Sequence, residues 1–284
     1  MLSDDKISQI FNKETHIFKD QDVFDIHVHP KNFLYRENQL YVIANNIRPA
    51  LKGYSPIHTV LLGDFATGKT TAIKRVFEIA KMENTNVIPV YINCKVYSNR
   101  FKIYSMIHEA IFNKKAPSRG SSSLILFDKI MKELKNKGKI LLIAFDDVNY
   151  LLKDAKCQQM FYELVRAYEV HEVRIGVFPI LTSLEFRYKF DADVKTTFIP
   201  EEIIFPPYNS TETYGILKDR CCEGFADGVI NHEIIERVCD IVTQTNNLRL
   251  GLTILRTLGN KAEIEGTDKI TNKQFSNVIK TLNK

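Results

Sequence analysis

Apolar and polar positions alternate over residues 58–205 in blocks typical of strands followed by helices. Short apolar runs of strand length are separated by stretches whose apolar residues recur at helical spacing. This alternation predicts an α/β fold in which a parallel sheet is flanked by helices on both faces. The runs that we expect to form strands are residues 60–62, 87–92, 140–145, 175–181 and 202–205.

The pattern changes after the Pro206-Pro207 pair, which breaks any regular element. No strand pattern follows this pair. Instead, Asn209 and Thr271 each precede an acidic or amide residue by three positions, which is the capping-box signature of a helix start. We therefore predict that the last 77 or so residues form a small all-helical domain.

These patterns predict two domains. Residues 1–207 would form the α/β domain, which includes a polar N-terminal arm at 1–35 followed by a helix at 36–51. Residues 208–284 would form the helical domain. The length of 284 residues, with 44% hydrophobic residues, is sufficient for two cores of this kind.

Composition narrows the class of protein. No apolar run reaches the ~18 residues of a membrane span, and the polar N-terminus carries no secretory pattern. The five cysteines form no C-x-x-C pair, so we interpret them as reduced thiols and not as disulfides or zinc ligands. We expect a cytoplasmic protein without membrane contact. Its net charge of +5 permits nucleic-acid binding but does not demand it.

Residues 63–70, with the sequence GDFATGKT, fit the phosphate-binding loop G-x-x-x-x-G-K-[ST]. A predicted strand precedes the loop and a helical pattern follows it, which places phosphates at a helix N-terminus. The glycines let the backbone wrap closely around phosphates, Lys69 supplies positive charge, and Thr70 offers a hydroxyl to Mg²⁺. The residues that we expect to bind nucleotide here are Gly63, Asp64, Phe65, Ala66, Thr67, Gly68, Lys69, Thr70 and Thr71.

A carboxylate pair, Asp146-Asp147, follows the apolar run at 140–145. A phosphate loop needs a carboxylate for Mg²⁺, usually at the end of a neighbouring strand. We assign Asp146 to Mg²⁺, through water, and Asp147 as the candidate base that orients the attacking water. The alternative is a pair of acidic residues that cap a helix.

A strand and two helices separate the loop from this pair, and a helical domain follows, an order typical of AAA+ ATPases. The chain resembles the archaeal origin recognition complex-type replication initiators, AAA+ ATPases that bind origin DNA. The resemblance is carried by GDFATGKTT at 63–71, VYINC at 90–94, LLIAFDDVNYLL at 141–152, EFRYKFDADVKTTFIPEEIIFPPYN at 185–209, ILKDR at 216–220 and NNLRLGLTILR at 246–256.

This resemblance implies a P-loop AAA+ core with a small all-α lid domain, and ATP or ADP with Mg²⁺ at their junction. It implies that Tyr208 and Arg220 contact the nucleotide. It also implies that Arg249 is the second sensor, which reaches the phosphates from the lid. The implied function is DNA replication initiation, with double-stranded origin DNA and related AAA+ subunits, identical or different, as partners.

Four departures from the family pattern affect the expected activity. Asp147 replaces the usual Glu, Thr182 stands where an Asn sensor is common, and Asp193 replaces an Arg that would act on a neighbour's ATP. We also expect no winged-helix domain within this chain. The catalytic residues are then Lys69, Asp146, Asp147, Thr182 and Arg249. We expect firm nucleotide binding with slow hydrolysis, as in a switch.

The segment at 113–123 carries Lys114, Lys115 and Arg119 between two predicted helices. In initiators of this family an inserted helical element here approaches DNA, where these side chains would meet phosphates with little sequence readout. A solvated basic loop is an equally good interpretation. Without a winged helix, we expect DNA binding to be weak.

Two other functions stay open from the sequence: a non-replicative AAA+ ATPase that acts on a protein partner, as in transposition or defence, and a module in which the nucleotide is only structural. A third interpretation fails. His27 and His29 resemble the H-x-H opening of metal-dependent amidohydrolases, but the remaining histidines are too scattered to complete such a site.

Overall fold

The structure is a computed structural model that describes residues 16–117, 122–182 and 190–282. The chain divides into two compact units. One is Arg36–Pro207, the α/β unit. The other, the lid unit, combines the residues up to Tyr35 with those from Tyr208 onward. The sequence-based division placed the N-terminal arm with the α/β domain, whereas the structure groups it with the helical domain.

A parallel sheet organises the α/β unit. Its strands are Thr59–Leu62 (β1), Val87–Asn93 (β2), Ile140–Asp146 (β3), Ile175–Leu181 (β4) and Glu201–Ile204 (β5). They run in the order β2-β3-β4-β1-β5, and every pairing is parallel. The predicted fold class is therefore confirmed, and each predicted strand agrees with the observed one within one residue at either end.

Strands β3 and β4 are buried at every position, as expected for central strands of a parallel sheet covered on both faces. Strand β5 lies at the sheet edge and buries only Ile203. The helices of this unit are Glu37–Leu51 (α1), Lys69–Glu83 (α2), Arg100–Phe112 (α3), Ser123–Lys137 (α4), Ala155–Val165 (α5), Ala167–His171 (α6) and Ala192–Thr197 (α7).

The lid unit contains the helices Ser210–Gly224 (α8), His232–Thr245 (α9), Leu248–Glu265 (α10) and Asn272–Leu282 (α11). Both predicted capping boxes form. The Asn209 side chain accepts from the Glu212 backbone N–H, and the Glu212 carboxylate accepts from the Asn209 N–H, each at 2.9 Å. Thr271 and Gln274 make the same reciprocal pair at the start of α11. These local bonds satisfy helix N–H groups that would otherwise lack partners.

The arm joins the lid unit through aromatic contacts. It contains a 3₁₀ turn at Gln21–Phe24, and the ring centroids of Phe18 and Phe24 lie 5.2 and 4.5 Å from that of Phe225 at the end of α8. Phe18 also forms an isolated β-bridge with Phe225. Aromatic pairs at these separations stabilise by about 0.5–1.5 kcal/mol beyond the area that they bury. They explain why the arm groups with the lid helices.

The H-x-H segment of the arm has no strand geometry. His27 and His29 are exposed and lie in an irregular segment after the 3₁₀ turn. Their imidazoles are therefore not presented on one face of a strand. Across the described ranges, no helix combines the length and the apolar character that a membrane crossing requires.

Gly259 of α10 allows the arm to pack closely on the lid. A Cβ at this position would overlap the ring of Phe18 and crowd that of Phe225. Alanine usually stabilises a helix interior relative to glycine by up to about 1 kcal/mol. We expect Gly259→Ala to have the opposite effect and to destabilise the lid unit by about 1–3 kcal/mol through overpacking. Urea denaturation followed by circular dichroism measures the change.

The matched control for this prediction is Thr253→Ala, at an exposed position of the same helix. Its stability should stay within about 0.5 kcal/mol of the wild type. A Gly259→Ala protein as stable as the wild type would show that the arm does not pack here.

Candidate functional site

The strand order brings three predicted segments to one edge of the sheet. Strand β4 lies between β1 and β3, and all three are parallel. The phosphate loop follows β1, Asp146 ends β3, and Thr182 follows β4. Because parallel strands end at the same edge, these groups face the crevice in which open α/β sheets bind ligands.

Both glycines of the loop motif are required by its geometry. Gly63 has φ +152° and lies so close to the backbone of Phe205 that a Cβ would overlap the carbonyl oxygen of that residue. Gly68 has φ +96° and forms the N-cap of α2. Ala66 also has a positive φ of 57°. The loop thus adopts a backbone that few other residues permit, and it ends at a helix N-terminus, where anions bind favourably.

The Lys69 ammonium lies inside this loop. The side chain is buried, and its Nζ donates to the carbonyl oxygens of Gly63 and Asp64 at 2.7 and 2.6 Å. A longer bond of 3.3 Å reaches Thr67 Oγ1. Phe65, at the tip of the loop, is 65% exposed. The loop therefore encloses one positive charge in a cradle of backbone groups.

Asp146 connects the start of α2 to strand β2 through hydrogen bonds. It is 8% exposed, and its Oδ2 accepts hydrogen bonds from Thr70 Oγ1 at 2.7 Å and from the Tyr91 hydroxyl at 2.6 Å. Its Oδ1 accepts from the Asp147 backbone N–H at 3.0 Å. Thr70 and Asp146, the pair predicted to hold Mg²⁺, are therefore in direct contact.

Tyr91 is a site residue that the sequence reasoning did not identify. It lies on β2 opposite Ala144 of β3, which places it beside the end of the carboxylate strand. Burial and the bond to Asp146 raise the pKa of Tyr91 far above its usual value, so the phenol remains a donor at neutral pH. The Lys74 ammonium lies 4.2 Å from its ring centroid. The only sequence signal was its place in the VYINC segment.

Asp147 follows the carboxylate with φ 54° and N-caps a 3₁₀ turn at Val148–Tyr150. A left-handed conformation is uncommon outside glycine, although aspartate tolerates it better than most residues. The turn ends β3 abruptly, and it lets the Asp147 N–H reach back to Asp146. The backbone at this position is therefore bound to the carboxylate that precedes it.

Arg36 is the second residue that the sequence did not reveal. Its side chain is 2% exposed, Nε donates to the Thr67 carbonyl at 3.0 Å, and Nη2 donates to the Pro206 carbonyl at 2.6 Å. It precedes α1, where a cation is unfavourable for the helix dipole. That unfavourable placement was the available signal of a separate role.

Two predicted site residues lie in irregular segments at element ends. Thr182 is partly exposed directly after β4. Tyr208 is also partly exposed, and the chain re-enters the lid unit at this residue. Their predicted roles stay predictions.

The lid arginines differ from each other in environment. Arg220 of α8 is buried, and its Nη1 donates to the Val23 carbonyl of the arm at 2.8 Å. Burial lowers its pKa, while Glu223 and Asp219 raise it. Arg249 is exposed in the first turn of α10. Both nucleotide roles remain predictions, but Arg220 already fastens the arm to the lid helices.

The predicted DNA-binding residues lie after α3. Lys114 and Lys115 are exposed, whereas Arg119 falls outside the described residues. Asp193, which replaces the arginine expected to act in trans, is exposed near the start of α7.

Comparison with protein families matches two parts of the chain. Residues 54–186 match a family described as an AAA domain, and residues 214–279 match the Cdc6 AAA+ ATPase-type lid domain. The two matched segments fall within the α/β unit and the lid unit, respectively.

Curated relatives cover almost the whole chain. The ORC1-type DNA replication protein 2 of Methanothermobacter thermautotrophicus is 39% identical over 276 residues, which are 97% of this chain and 73% of the relative. The ORC1-type DNA replication protein 3 of Haloarcula marismortui is 33% identical over 273 residues, 95% of this chain and 72% of the relative.

Solved structures agree with the observed fold. The Aeropyrum pernix ORC1 protein, solved in complex with DNA, has a TM-score of 0.85 and 25% identity, and the match covers 95% of this chain and 71% of that one. The Aeropyrum pernix ORC2 protein, solved as ADPNP–ADP complexes, has a TM-score of 0.81 at 23% identity, covering 93% and 72%. The second likeness shows the fold alone.

We expect Tyr91→Phe to lower the free energy of unfolding by about 1–2 kcal/mol, because the buried Asp146 carboxylate loses one donor. The loss should be the same from pH 6 to pH 9, since the raised pKa keeps the phenol protonated throughout this range. Chemical denaturation at several pH values measures both quantities.

Tyr54→Phe, at a tyrosine that is 65% exposed in the same unit, is the control and should leave stability unchanged. If Tyr91→Phe is as stable as the wild type, the phenol does not hold the carboxylate.

Proposed function

Because this chain belongs to the ORC1-type DNA replication proteins, we propose that it is a nucleotide-controlled AAA+ switch of DNA replication initiation. The observation that carries the proposal is the joined pair Thr70–Asp146 beside the buried Lys69, at the C-terminal edge of the sheet. These are the groups that a phosphate loop uses on a nucleoside triphosphate. No observation on the described residues favours a regulator of a protein partner instead.

In this proposal the loop binds the phosphates of ATP or ADP. Backbone N–H groups between Gly63 and Gly68 and the N-terminus of α2 attract negative charge. The Lys69 ammonium exchanges its carbonyl partners at Gly63 and Asp64 for phosphate oxygens, which are stronger acceptors because they are charged.

The donor set fits Mg²⁺, a hard cation that prefers oxygen ligands. Thr70 Oγ1 and Asp146 Oδ2 lie 2.7 Å apart, so a hydroxyl and a carboxylate oxygen are available side by side. When bound, the ion supplies neutralisation of phosphate charge. Tyr91 keeps the carboxylate in place from the side of β2.

Slow hydrolysis follows from Asp147 and Thr182. Asp147 is one methylene shorter than the family's Glu, and its backbone N–H is bound to Asp146. A displacement of ~1 Å at a catalytic group costs on the order of 100-fold in rate. Thr182 offers a shorter side chain than an Asn sensor. Arg249 is exposed and remains the proposed phosphate sensor of the lid, with Tyr208 and Arg220 as further proposed contacts.

We propose double-stranded DNA and related AAA+ subunits as partners. One relative by structure, the Aeropyrum pernix ORC1 protein, was solved in complex with DNA. In this chain, Lys114 and Lys115 extend into solvent after α3 and are suited to phosphate contacts without sequence readout. Arg119 of the same segment is proposed to act with them.

We expect the wild-type chain to bind ADP with Mg²⁺ in isothermal titration calorimetry and Lys69→Ala to bind at least about tenfold more weakly, because the loop loses its charge.

Asp147→Glu should bind ADP as the wild type does and hydrolyse ATP at least about tenfold faster in single turnovers, because the longer side chain reaches the attacking water.

Asp128→Glu, on the exposed surface of α4, is the control for the aspartate exchange and should change neither quantity. Absence of any heat of ADP binding to the wild type would refute the proposed function. A wild-type turnover above ~10 s⁻¹ would refute the switch and indicate a motor.

The last prediction of the proposed function concerns DNA. We expect Lys114→Ala combined with Lys115→Ala to weaken binding to a mixed-sequence duplex and to reduce the slope of log K against log salt by up to about 2, since each lost phosphate contact contributes about 0.9. Fluorescence anisotropy at several salt concentrations measures the slope. Lys52→Ala with Lys81→Ala, two exposed lysines of the same unit, is the control. An unchanged slope would exclude this segment from the DNA interface.

A further inference from the structure

The chain crosses between its two compact units twice. The first crossing is the peptide bond between Tyr35 and Arg36, and the second is that between Pro207 and Tyr208. The Arg36 side chain lies next to both, because it belongs to the first crossing and donates to the Pro206 carbonyl at 2.6 Å, one residue before the second. One residue of the α/β unit therefore lies at the first crossing and hydrogen-bonds to the residue directly before Pro207 at the second.

The same guanidinium contacts the phosphate loop. Its Nε donates to the Thr67 carbonyl at 3.0 Å, and the side chain is 2% exposed. The guanidinium is planar, so its donors keep fixed directions relative to one another. One rigid group therefore makes both bonds, so we expect a shift of the Thr67 carbonyl to alter the bond to Pro206 as well.

Further hydrogen bonds of the α/β unit hold the segment around Pro206 in place. Gln39, in the first turn of α1, donates to the Ile204 carbonyl at 3.2 Å. The Phe205 N–H donates to the Leu62 carbonyl at 2.7 Å, directly before the loop begins at Gly63. The chain that leaves β5 is thus bonded both to the start of α1 and to the strand that enters the loop.

On the other side of the first crossing, Tyr35 contacts the lid unit. Tyr35 has φ +60°, which is unusual for an aromatic residue. Its phenol lies against Gly215 of α8, where a Cβ would overlap it. Tyr35 is 38% exposed and contacts α8 through its phenol, whereas Arg36, the next residue, is buried beside the phosphate loop.

We infer that Arg36 is a positioning residue that couples the conformation of the phosphate loop to both chain crossings. When nucleotide orders the phosphate loop, the Arg36 guanidinium transmits this ordering to both crossings. This inference rests on the proposed function, in which the loop binds nucleotide. It adds a route by which occupancy of the loop reaches the connections to the lid unit.

Hydrogen–deuterium exchange of the full chain, with and without saturating ADP and Mg²⁺, tests the coupling. In the wild type we expect ADP to protect three peptides: one with the loop at 63–70, one with residues 33–40 and one with residues 204–210. Protection confined to the loop would overturn the inference without any variant.

Arg36→Lys provides the second test, because lysine keeps the charge but lacks the rigid fork that reaches both carbonyls. We expect its ADP dissociation constant to rise at least about tenfold, as for the loss of a charge-assisted hydrogen bond. At saturating ADP the loop should stay protected, while the two crossings exchange as they do without ADP.

Arg100→Lys is the matched control. Arg100 is also a buried arginine of the α/β unit, but it pairs with Glu163 at 2.5 Å and not with the loop. It should lower stability without changing ADP affinity or the protection of the crossings. This comparison separates coupling from a general loss of stability.

The outcomes are distinct. Arg36→Lys with a dissociation constant within twofold of the wild type and protected crossings would overturn the inference while leaving the proposed function intact. If the wild type does not bind ADP, both the inference and the proposed function are refuted. Failure of Arg36→Lys to fold leaves the wild-type exchange pattern as the deciding measurement.

Discussion

The site depends on the hydrogen bonds to one buried carboxylate. Asp146 accepts from Thr70 on α2, from Tyr91 on β2 and from the backbone of Asp147. These donors come from separate parts of the chain, and a carboxylate that is nearly excluded from water requires them. The insertion of β4 between β1 and β3 places the phosphate loop and the carboxylate strand at the spacing that this bonding needs.

The residues expected to bind nucleotide match the family pattern in this chain, whereas those expected to hydrolyse ATP depart from it. The loop has the positive φ values at Gly63 and Gly68 that its motif demands, and its lysine is enclosed. Asp147 and Thr182, by contrast, are shorter than the residues usual in the family. These differences are the basis of our proposal that the protein acts as a nucleotide-controlled switch that hydrolyses ATP slowly.

Local chemistry explains which parts of the structure were predictable. Strands β3 and β4 were recognised because they are continuous apolar runs, and the capping box at Asn209 because it joins residues three apart. The phosphate loop was recognised because each residue of its motif meets a local requirement. The contacts of Arg36, by contrast, join residues 31 and 170 positions apart, and that of Tyr91 spans 55. The grouping of the arm with the lid depends on Phe18 and Phe225, which are equally remote in sequence. The periodicity of apolar residues in a sequence does not predict contacts between residues this far apart.

The close approach of Gly63 to Phe205 has a consequence for the edge strand β5. The side chains of Glu201, Glu202 and Ile204 are exposed, so substitutions there disturb little packing. The backbone of the strand has no comparable freedom, because the carbonyl of Phe205, the residue directly after it, forms a wall of the phosphate loop. Point substitutions at these three exposed positions should therefore be tolerated during evolution, whereas an inserted or deleted residue would displace that wall and deform the loop.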